Sequence, residues 1–530
     1  MTHVSYDWQP PKRSESTRNR RQLLGLIVYL LLLIGLILVA GTSHAASSDY
    51  YQRRPVNITV YNGISLYGTN DYDVLNHCVI DLTRGYSGRL EGVELSVLGN
   101  EIVEDAYGVN FGTFFTVVGR NTVGIQASGV GAVNGDEMTG VQIGGLAAVT
   151  GDDAKYLQAG GLAAVSGGDM IGCQISALAS IVGKDLTGIQ AGGLAAVAGE
   201  DGGWVQIGGL AAISGNDAGI QAGGFGAIAG DDVHGGQLAV FASVAGGRVT
   251  GFQAGGIASV AGNDLQGIQF SGLASVAGGE VIGLQVSGLA SIAEGPVHGI
   301  QFAGLANVAE KGGFAQIGTI NVAEFYQGTQ IGMINASEYF TGLQLGVINV
   351  AESIHGIQIG LLNATYEDEG LIPIGPITRT PNGPEKMEVY YDAIGTYNIG
   401  YRTGSRRFSS LLAIGYKPED PYVLTLSAGT GYKFDVVDDR GKLEIEGVWQ
   451  KLNEDEIWST NPHWIASVKL LWSWQFTETF GVFAGPTYNY YYSQVNDGSN
   501  ILPSAADTPS DPDDPFTSSF LGFQAGVRVF

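Results

Sequence analysis

The sequence predicts an all-β chain, a two-sided β-solenoid of 14–16-residue coils followed by a C-terminal antiparallel β-barrel-like domain. Three observations carry this prediction. Glutamine recurs at Gln126, Gln142, Gln158, Gln174, Gln190, Gln206, Gln221, Gln237, Gln253, Gln269, Gln285, Gln301, Gln316, Gln330, Gln344 and Gln358, at steps of 16, 15 or 14 residues. Each copy, as from Gly188 to Asp201, reads as two short extended pieces separated by a glycine bend at one end and a Gly/Asp/Asn bend at the other. After about Thr365 the period stops, and strands of simple alternation take over.

A constant period sustained over so many copies makes each copy one structural unit stacked on the next. Identical positions in successive coils then lie about 4.8 Å apart, and sixteen coils stack to roughly 75 Å. The length changes support two bends per copy. From Gln190 the next large apolar residue, Leu194, lies four positions on, across Ala191, Gly192 and Gly193; from Gln344 the equivalent Val347 is three on. One residue has left the glycine bend, and the other has left the acidic bend. Ala, Gly and Ser fill the positions beside Ile, Leu and Val, so the two sheets are expected to approach closely around a thin core. The alternative is a meander in which every copy is one strand of a large membrane barrel. Its lipid face would be Ile189, Ala191, Gly193, Ala195 and Val197, weakly apolar and without aromatic girdles.

Taken in order, residues 1–45 read as a signal peptide or membrane anchor. Lys12, Arg13, Arg18, Arg20 and Arg21 precede the uncharged run from Leu23 to Ala40, and Thr42-Ser43-His44-Ala45 offers a small-residue cleavage site. The same run is long enough to span a bilayer, which keeps an inner-membrane anchor open. Residues 46–90 are expected to cap the solenoid, 91–366 to form the repeats, with Glu94 and Asn110 continuing the glutamine phase backwards, and 367–386 to link them to the C-terminal domain, 387–530. In that domain Trp464, Ala466, Val468, Leu470, Trp472, Trp474 and Phe476 share one face of a strand, and Ser467, Lys469, Ser473, Gln475 and Thr477 the other. Seven or eight such strands, rich in aromatics, suit a small outer-membrane barrel, with a soluble β-domain as the alternative. Glu444 and Glu446 on a polar face suit a lumen or solvent equally, and Phe530 falls in phase with Arg528 instead of with the apolar face of the last strand. The stretch from Ser493 to Ser518 reads as a long loop.

Composition limits function. Gly is 82 of 530 residues, and Lys+Arg 26 against Asp+Glu 51 gives a net charge of −25, which argues against nucleic acid or anionic lipid as a bulk electrostatic partner. Cys78 and Cys173 fall about six coils apart, roughly 29 Å at the strand spacing, so both are expected to be unpaired, as small buried core residues.

The glutamine row predicts an internal amide stack, Gln126, Gln142, Gln158, Gln174, Gln190, Gln206, Gln253, Gln269 and Gln285 among its members, with a second row of Asn307, Asn321, Asn335, Asn349 and Asn363 in the late copies. A ligand-reading glutamine face is the alternative. The acidic bend carries Asp136, Asp152, Asp153, Asp169, Asp185, Asp201, Asp217, Asp231, Asp232, Asp264, Glu280, Glu310, Glu324, Glu338 and Glu352, with Arg248 interrupting. Asp at turns serves local backbone bonding; calcium relieving the like charges is the other reading, and no other cofactor is expected. His234, His298 and His355 resemble a metal triad, but successive members stand four coils apart, about 19 Å, too far to converge on one ion. No nucleophile elbow, phosphate loop or zinc-protease motif occurs, so no enzyme is expected.

The late copies, Gly328-Thr329-Gln330-Ile331-Gly332-Met333-Ile334-Asn335, Gly342 to Asn349 and Gly356 to Asn363, resemble the Gly-x-Gln-x-Gly-x-x-Asn units of a bacterial surface-repeat protein family. Tyr86 with Gly92-Val93-Glu94-Leu95, and Tyr401-Arg402-Thr403-Gly404-Ser405-Arg406-Arg407-Phe408, are similar to its flanking segments, so the resemblance spans roughly residues 60 to 490. The early copies depart from it, with Ala or Ser in place of the Asn. The resemblance implies an exported protein at the cell surface or outer membrane and brings no catalytic residues. The expected function is therefore a non-enzymatic structural, adhesive or binding role at the outer membrane or cell-envelope surface, toward a protein or glycan that the sequence does not identify. The alternative is an outer-membrane barrel with a pore or transport role. A solenoid enzyme would need carboxylates clustered in a groove, whereas these form a row at a bend.

Overall fold

The computed structural model describes residues 51–61, 64–67, 74–367, 370–381, 383–418, 422–437, 440–454, 463–493 and 516–529. The predicted signal, residues 494–515 of the predicted loop and Phe530 lie outside the described residues. The fold is all-β: a parallel β-solenoid of about 19 turns is followed by a closed eight-stranded antiparallel barrel. The chain divides into two compact units, one ending at Gly288 and one beginning at Leu289. The first holds the early coils; the second holds the late coils and the barrel.

In the first unit, strands Met138–Gly144 and Ala147–Thr150 make one coil. They pair in parallel with Ala154–Gly160 and Ala163–Ser166, which sets Gln142 against Gln158 and Ala148 against Ala164. Adjacent copies run in the same direction, so the meander reading is excluded. The bends bond coil to coil as well: Leu162 N donates to Leu146 O at 2.7 Å, and Gly168 N to Asp152 O at 2.9 Å. Backbone groups at these bends therefore have a partner one coil away, as a bend against a neighbouring coil requires.

The core differs from the expectation. Along Val141-Gln142-Ile143 side chains alternate faces, and it is Gln142 that points inward, fully buried. The larger aliphatics face out: Ile143, Leu146, Ile175, Leu194, Ile207 and Leu210 are each more than two-fifths exposed. The interior is lined by glutamine, by Ala148, Ala164, Ser180 and Ala196, and in many coils by one larger residue after the acidic bend, such as Met138, Met170, Leu186 and Leu265. The core is thin, but its thinness comes from having Ile and Leu outside it. At Gly144, Gly160 and Gly192 a Cβ would sit within 1.7, 1.8 and 1.9 Å of the carbonyl oxygen of Ala147, Ala163 and Ala195, so the inside of this bend admits no larger residue without movement.

One row demands glycine for its backbone. Gly124, Gly140, Gly172 and Gly188 have φ of 134°, 135°, 129° and 140°. Tyr156, between Gly140 and Gly172 in register, has φ 88° and is the non-glycine residue with positive φ among the described residues.

The stack also extends beyond its predicted bounds. Strands Val74–Asp81 and Arg84–Ser87, inside the predicted cap, already pair in parallel with Arg89–Ser96 and Gly99–Ile102. The register shifts between Asn76 and Cys78, so Val79, not Cys78, stands against Glu94. In the second unit, Leu371–Ile374 and Ile377–Arg379, inside the predicted linker, form a further coil against residues 356–359 and 362–364. Proline and glycine interrupted the repeat pattern there without ending the stack. The late coils differ in shape: Ile320–Ile331, Ile334–Leu345 and Ile348–Ile359 run as continuous strands through Glu324, Glu338 and Glu352, and the turns fall at Gly332, Gly346 and Gly360.

The barrel closes from Lys386–Tyr391 through Tyr397–Gly404, Phe408–Lys417, Val423–Val437, Gly441–Glu454, His463–Gln475 and Phe480–Ser493 to Phe516–Val529, which pairs back on the first strand. At one end the strands are joined by 405–407, 438–440 and 476–479, and at the other by 392–396, 418–422, 455–462 and 494–515. An even strand number brings the first and last strands back to the short-connection end.

Trp204 and Phe314 also replace the row's glycine, but Tyr156 is the replacement that keeps its positive φ, which costs a non-glycine residue about 1–2 kcal/mol. Tyr156→Gly is therefore expected to raise the denaturation midpoint of the full chain by the equivalent of about 1 kcal/mol. Gly140→Ala, whose Cβ would meet Gly124 O at 2.0 Å, is expected to lower it by more than that. Circular dichroism against urea reads both, and an unchanged or lower midpoint for Tyr156→Gly would refute the assignment.

Candidate functional site

Burying a row of amides is tolerable only if each is bonded. Gln142 Nε2 donates to Gln126 Oε1 at 3.0 Å and to Val149 O of its own coil at 3.0 Å. Gln158, Gln174, Gln190 and Gln206 repeat both bonds at 2.7–3.0 Å. Gln253 and Gln269 do the same with Gln237 and Gln253, and Gln285 donates to Gln269 at 2.9 Å. Each amide thus ties its own two strands together and ties the coil to the one before.

In the second unit Gln316, Gln330, Gln344 and Gln358 each donate backwards at 2.8 Å, the last three to Gln316, Gln330 and Gln344. The asparagine row runs the other way. Asn307, Asn321, Asn335 and Asn349 each donate forwards, ending on Asn363, at 2.8–2.9 Å. The two stacks point their amide dipoles in opposite senses. The glutamine row ends where Pro373 takes the next position in register.

The acidic bend is bonded in the same manner. Asp153 Oδ1 accepts the backbone N–H of Asp169 at 2.8 Å, Asp217 that of Asp232 at 2.9 Å, and Asp264 that of Glu280 at 2.9 Å. Where Arg248 interrupts, its N–H is accepted by Asp232 at 2.6 Å and its guanidinium reaches Asp264 at 3.0 Å. These carboxylates act as staples between coils. Among the described residues no group of three or more His, Cys, Asp or Glu is placed to hold a metal, and His234, His298 and His355 are exposed.

Both cysteines are free. They do not lie in the core. Cys173 pairs with Leu157 and Ile189, and Cys78 with Val93, which places both in the half-exposed outward row beside the glutamines. Outside the barrel two phenols carry raised pKa values. Burial and then Glu104, to which Tyr51 donates, push Tyr51 up to about 12; burial alone raises Tyr326, which stacks on Phe340 at 6.0 Å.

The barrel interior holds the charges that the repeats lack. Glu388 accepts Nε–H from both Arg402 and Arg528, the latter at 2.5 Å. Arg528 also donates to Glu444 through two nitrogens at 2.5 and 2.8 Å, and Arg402 pairs with Glu446 at 2.5 Å. All five are buried. Toward the long-connection end, Asp392 accepts from Thr396, Asn398 and Gln450 at 2.6, 3.1 and 3.1 Å. Two apolar clusters also occupy the bore: Tyr390, Leu411, Ala413, Leu471 and Phe483 in one, Ile394, Val423, Leu452, Ile465, Tyr491 and Phe520 in the other.

The outer wall is the reverse. Leu521, Phe523, Val468, Ile414, Trp449, Tyr488 and Tyr490 are exposed, and a shallow apolar concavity of about 750 Å³ lies among Trp449, Tyr490, Leu412 and Ile374. Sequence reading singled out Glu444 and Glu446 but left their side open, and it missed Glu388. The signal for Arg528 was present, since it alternates against Leu521, Phe523 and Ala525. The chain matches no family model, no curated protein and no solved structure.

Gln206→Ala removes three bonds, to Gln190, to Ile213 O and from Gln221. Gln358→Ala removes the single bond to Gln344, since its own Oε1 accepts from no donor among the described residues. With about 1–3 kcal/mol for each buried group left unpaired, Gln206→Ala is expected to cost several times more than Gln358→Ala in chemical denaturation. Equal costs would mean that the amides fill space without linking coils.

Proposed function

We propose that this chain is a non-enzymatic outer-membrane protein whose barrel seats it in the bilayer and whose solenoid performs a structural, adhesive or binding role. The observation that carries the reading is the polarity of the barrel wall: apolar and aromatic outside, ion-paired inside. A soluble barrel would have the opposite arrangement, since its large apolar side chains would leave water. The outward rows of Ile, Leu and Phe on the repeats supply the adhesive surface, because contiguous exposed apolar area marks an interaction site.

A pore or transport role has less support. An eight-stranded barrel leaves an interior only wide enough for side chains, and here the ion-pair network and two apolar clusters fill it. The connections add an orientation. In outer-membrane barrels the short turns face the periplasm, and the repeats join at the short-turn end: Thr378 N donates to Thr403 Oγ1 at 2.8 Å, and Thr380 Oγ1 to Gly404 O at 3.1 Å. The late coils then lie on the periplasmic side, beneath the membrane instead of outside the cell.

The expected behaviour is fractionation with outer membranes, resistance to carbonate extraction, and a gel mobility that changes on boiling. Release into buffer would overturn the membrane reading. Orientation is read separately through Cys173, using a Cys78→Ser variant. An impermeant maleimide is expected to label Cys173 only after the outer membrane is permeabilised, and labelling of intact cells would place the repeats outside.

A further inference from the structure

Six of the chain's 26 Lys and Arg residues surround one pocket of about 220 Å³ at the short-connection end of the barrel: Lys386, Arg406, Lys433, Arg440, Lys442 and Arg528. Among the described residues two carboxylates answer them. Glu444 holds Arg528, and Asp435 pairs with Lys442 at 3.1 Å and with Arg406 at 3.9 Å. Lys386 donates to Gln475 at 2.9 Å. Lys433 is the telling member. The residue is buried, 8% exposed, and lines the pocket; among the described residues its ammonium makes no hydrogen bond and no ion pair within 4 Å, and the charge of Glu444, its cross-strand neighbour, offsets only part of the cost of its burial. The Arg440 guanidinium is likewise without a partner among the described residues, although its backbone bonds Val437 and Gln475.

A buried ammonium left unpaired is costly unless something completes it. Elsewhere in this bore Arg402 and Arg528 are bonded to glutamates and the Lys469 ammonium donates to Gln524, whereas Lys433, with Glu444 across the strand pair, is left without a direct bond among the described residues. In a chain of net charge −25, this is a local reversal of sign. We infer that the pocket binds a phosphate-bearing ligand, with the phosphate between Lys433 and Arg440 and with Lys386 and Lys442 at its rim. Guanidinium and ammonium donors together suit the several acceptor oxygens of a phosphate. At about 220 Å³ the pocket is smaller than those that enclose a whole organic molecule, typically 300–1,000 Å³, so it takes an anionic head and leaves the rest of the ligand outside. That head has two sources of one chemistry: free phosphate or diphosphate, or the phosphate of a lipid.

Trp474 lines the pocket and reports on it. The full chain, in an uncharged sugar detergent, is titrated with inorganic pyrophosphate while tryptophan fluorescence is followed, with Trp474→Phe to identify the reporting ring. Saturable quenching is expected, and Lys433→Gln and Arg440→Gln are each expected to weaken binding about tenfold or more, the loss of one charge-assisted bond. Asp435→Asn, which removes a competing carboxylate, is expected to tighten it. A second arm reconstitutes the chain in phosphatidylcholine discs with and without phosphatidic acid. Protection of Lys433 from amine acylation only in the phosphatidic acid discs assigns the lipid source, and protection only by added pyrophosphate assigns the free one. Non-saturating quenching, or equal affinity in Lys433→Gln and Arg440→Gln, overturns the site. Boiling-dependent gel mobility shows whether each variant has folded; should Lys433→Gln fail to fold, Arg440→Gln, at an exposed residue, decides alone. Because the pyrophosphate arm is run in detergent, it stands or fails independently of where the barrel resides in the cell.

Discussion

Everything in the solenoid depends on coils lying in register, each bonded to the next at the same positions. Parallel pairing sets Gln142 against Gln158 and Gly140 against Tyr156, and register turns a sequence period into columns of identical groups. A buried column of one polar residue type is stable only if that residue can bond to itself. An amide can, because it carries a donor and an acceptor at opposite sides, and so can an Asp whose carboxylate reaches the next backbone N–H. The polar inner columns of this protein are built from such groups, and the rest of the interior from small residues and from the apolar Met, Leu and Val that follow the acidic bend.

That rule explains why the sequence told the fold and misplaced its faces. Periodicity, the two bends and the parallel stack were legible because they rest on spacing alone. The outward turn of Ile and Val was legible too, had one constraint been applied strictly. In a strand, Gln142 cannot be internal while Val141 and Ile143 are internal as well. The contest is between burying two aliphatics and burying one amide. Width decides it: where Gly144 stands, a Cβ already meets Ala147 O at 1.7 Å, so a space that accepts a flat, bonded glutamine has no room for branched side chains on both walls. The ends of the stack were illegible for another reason. Residues 371–379 keep the hydrogen bonding of a coil while losing its glutamine to Pro373, and pattern reading follows side chains, not ladders.

In the barrel the situation is inverted. Alternation showed two faces, one aromatic and one polar, but alternation has no inside or outside until the sheet closes. Closure brings Glu388, on the first strand, within bonding distance of Arg528, on the last, a pair 140 residues apart that no local signal announces. Once those carboxylates and guanidiniums are inside, the aromatic face has to be outside.

The two modules then share one principle despite opposite charge content. Each places polar groups in its interior, bonded to one another, and apolar side chains on its surface. For a protein in water this is a poor bargain, because exposed Leu and Ile columns gain nothing from solvent and the polar interior gives up hydration. It becomes a favourable one when the surface has a non-aqueous partner. The barrel wall meets that condition in a bilayer, and the outward aliphatic columns of the repeats pose the same demand for a covering surface along much of the stack. The interior chemistry has a further consequence: a bore lined by ion pairs has no favourable place for an unbonded charge, so Lys469 is bonded to Gln524 deep inside, while Lys433, which has no direct bond among the described residues, stands where the bore opens to a pocket that a mobile anion can reach.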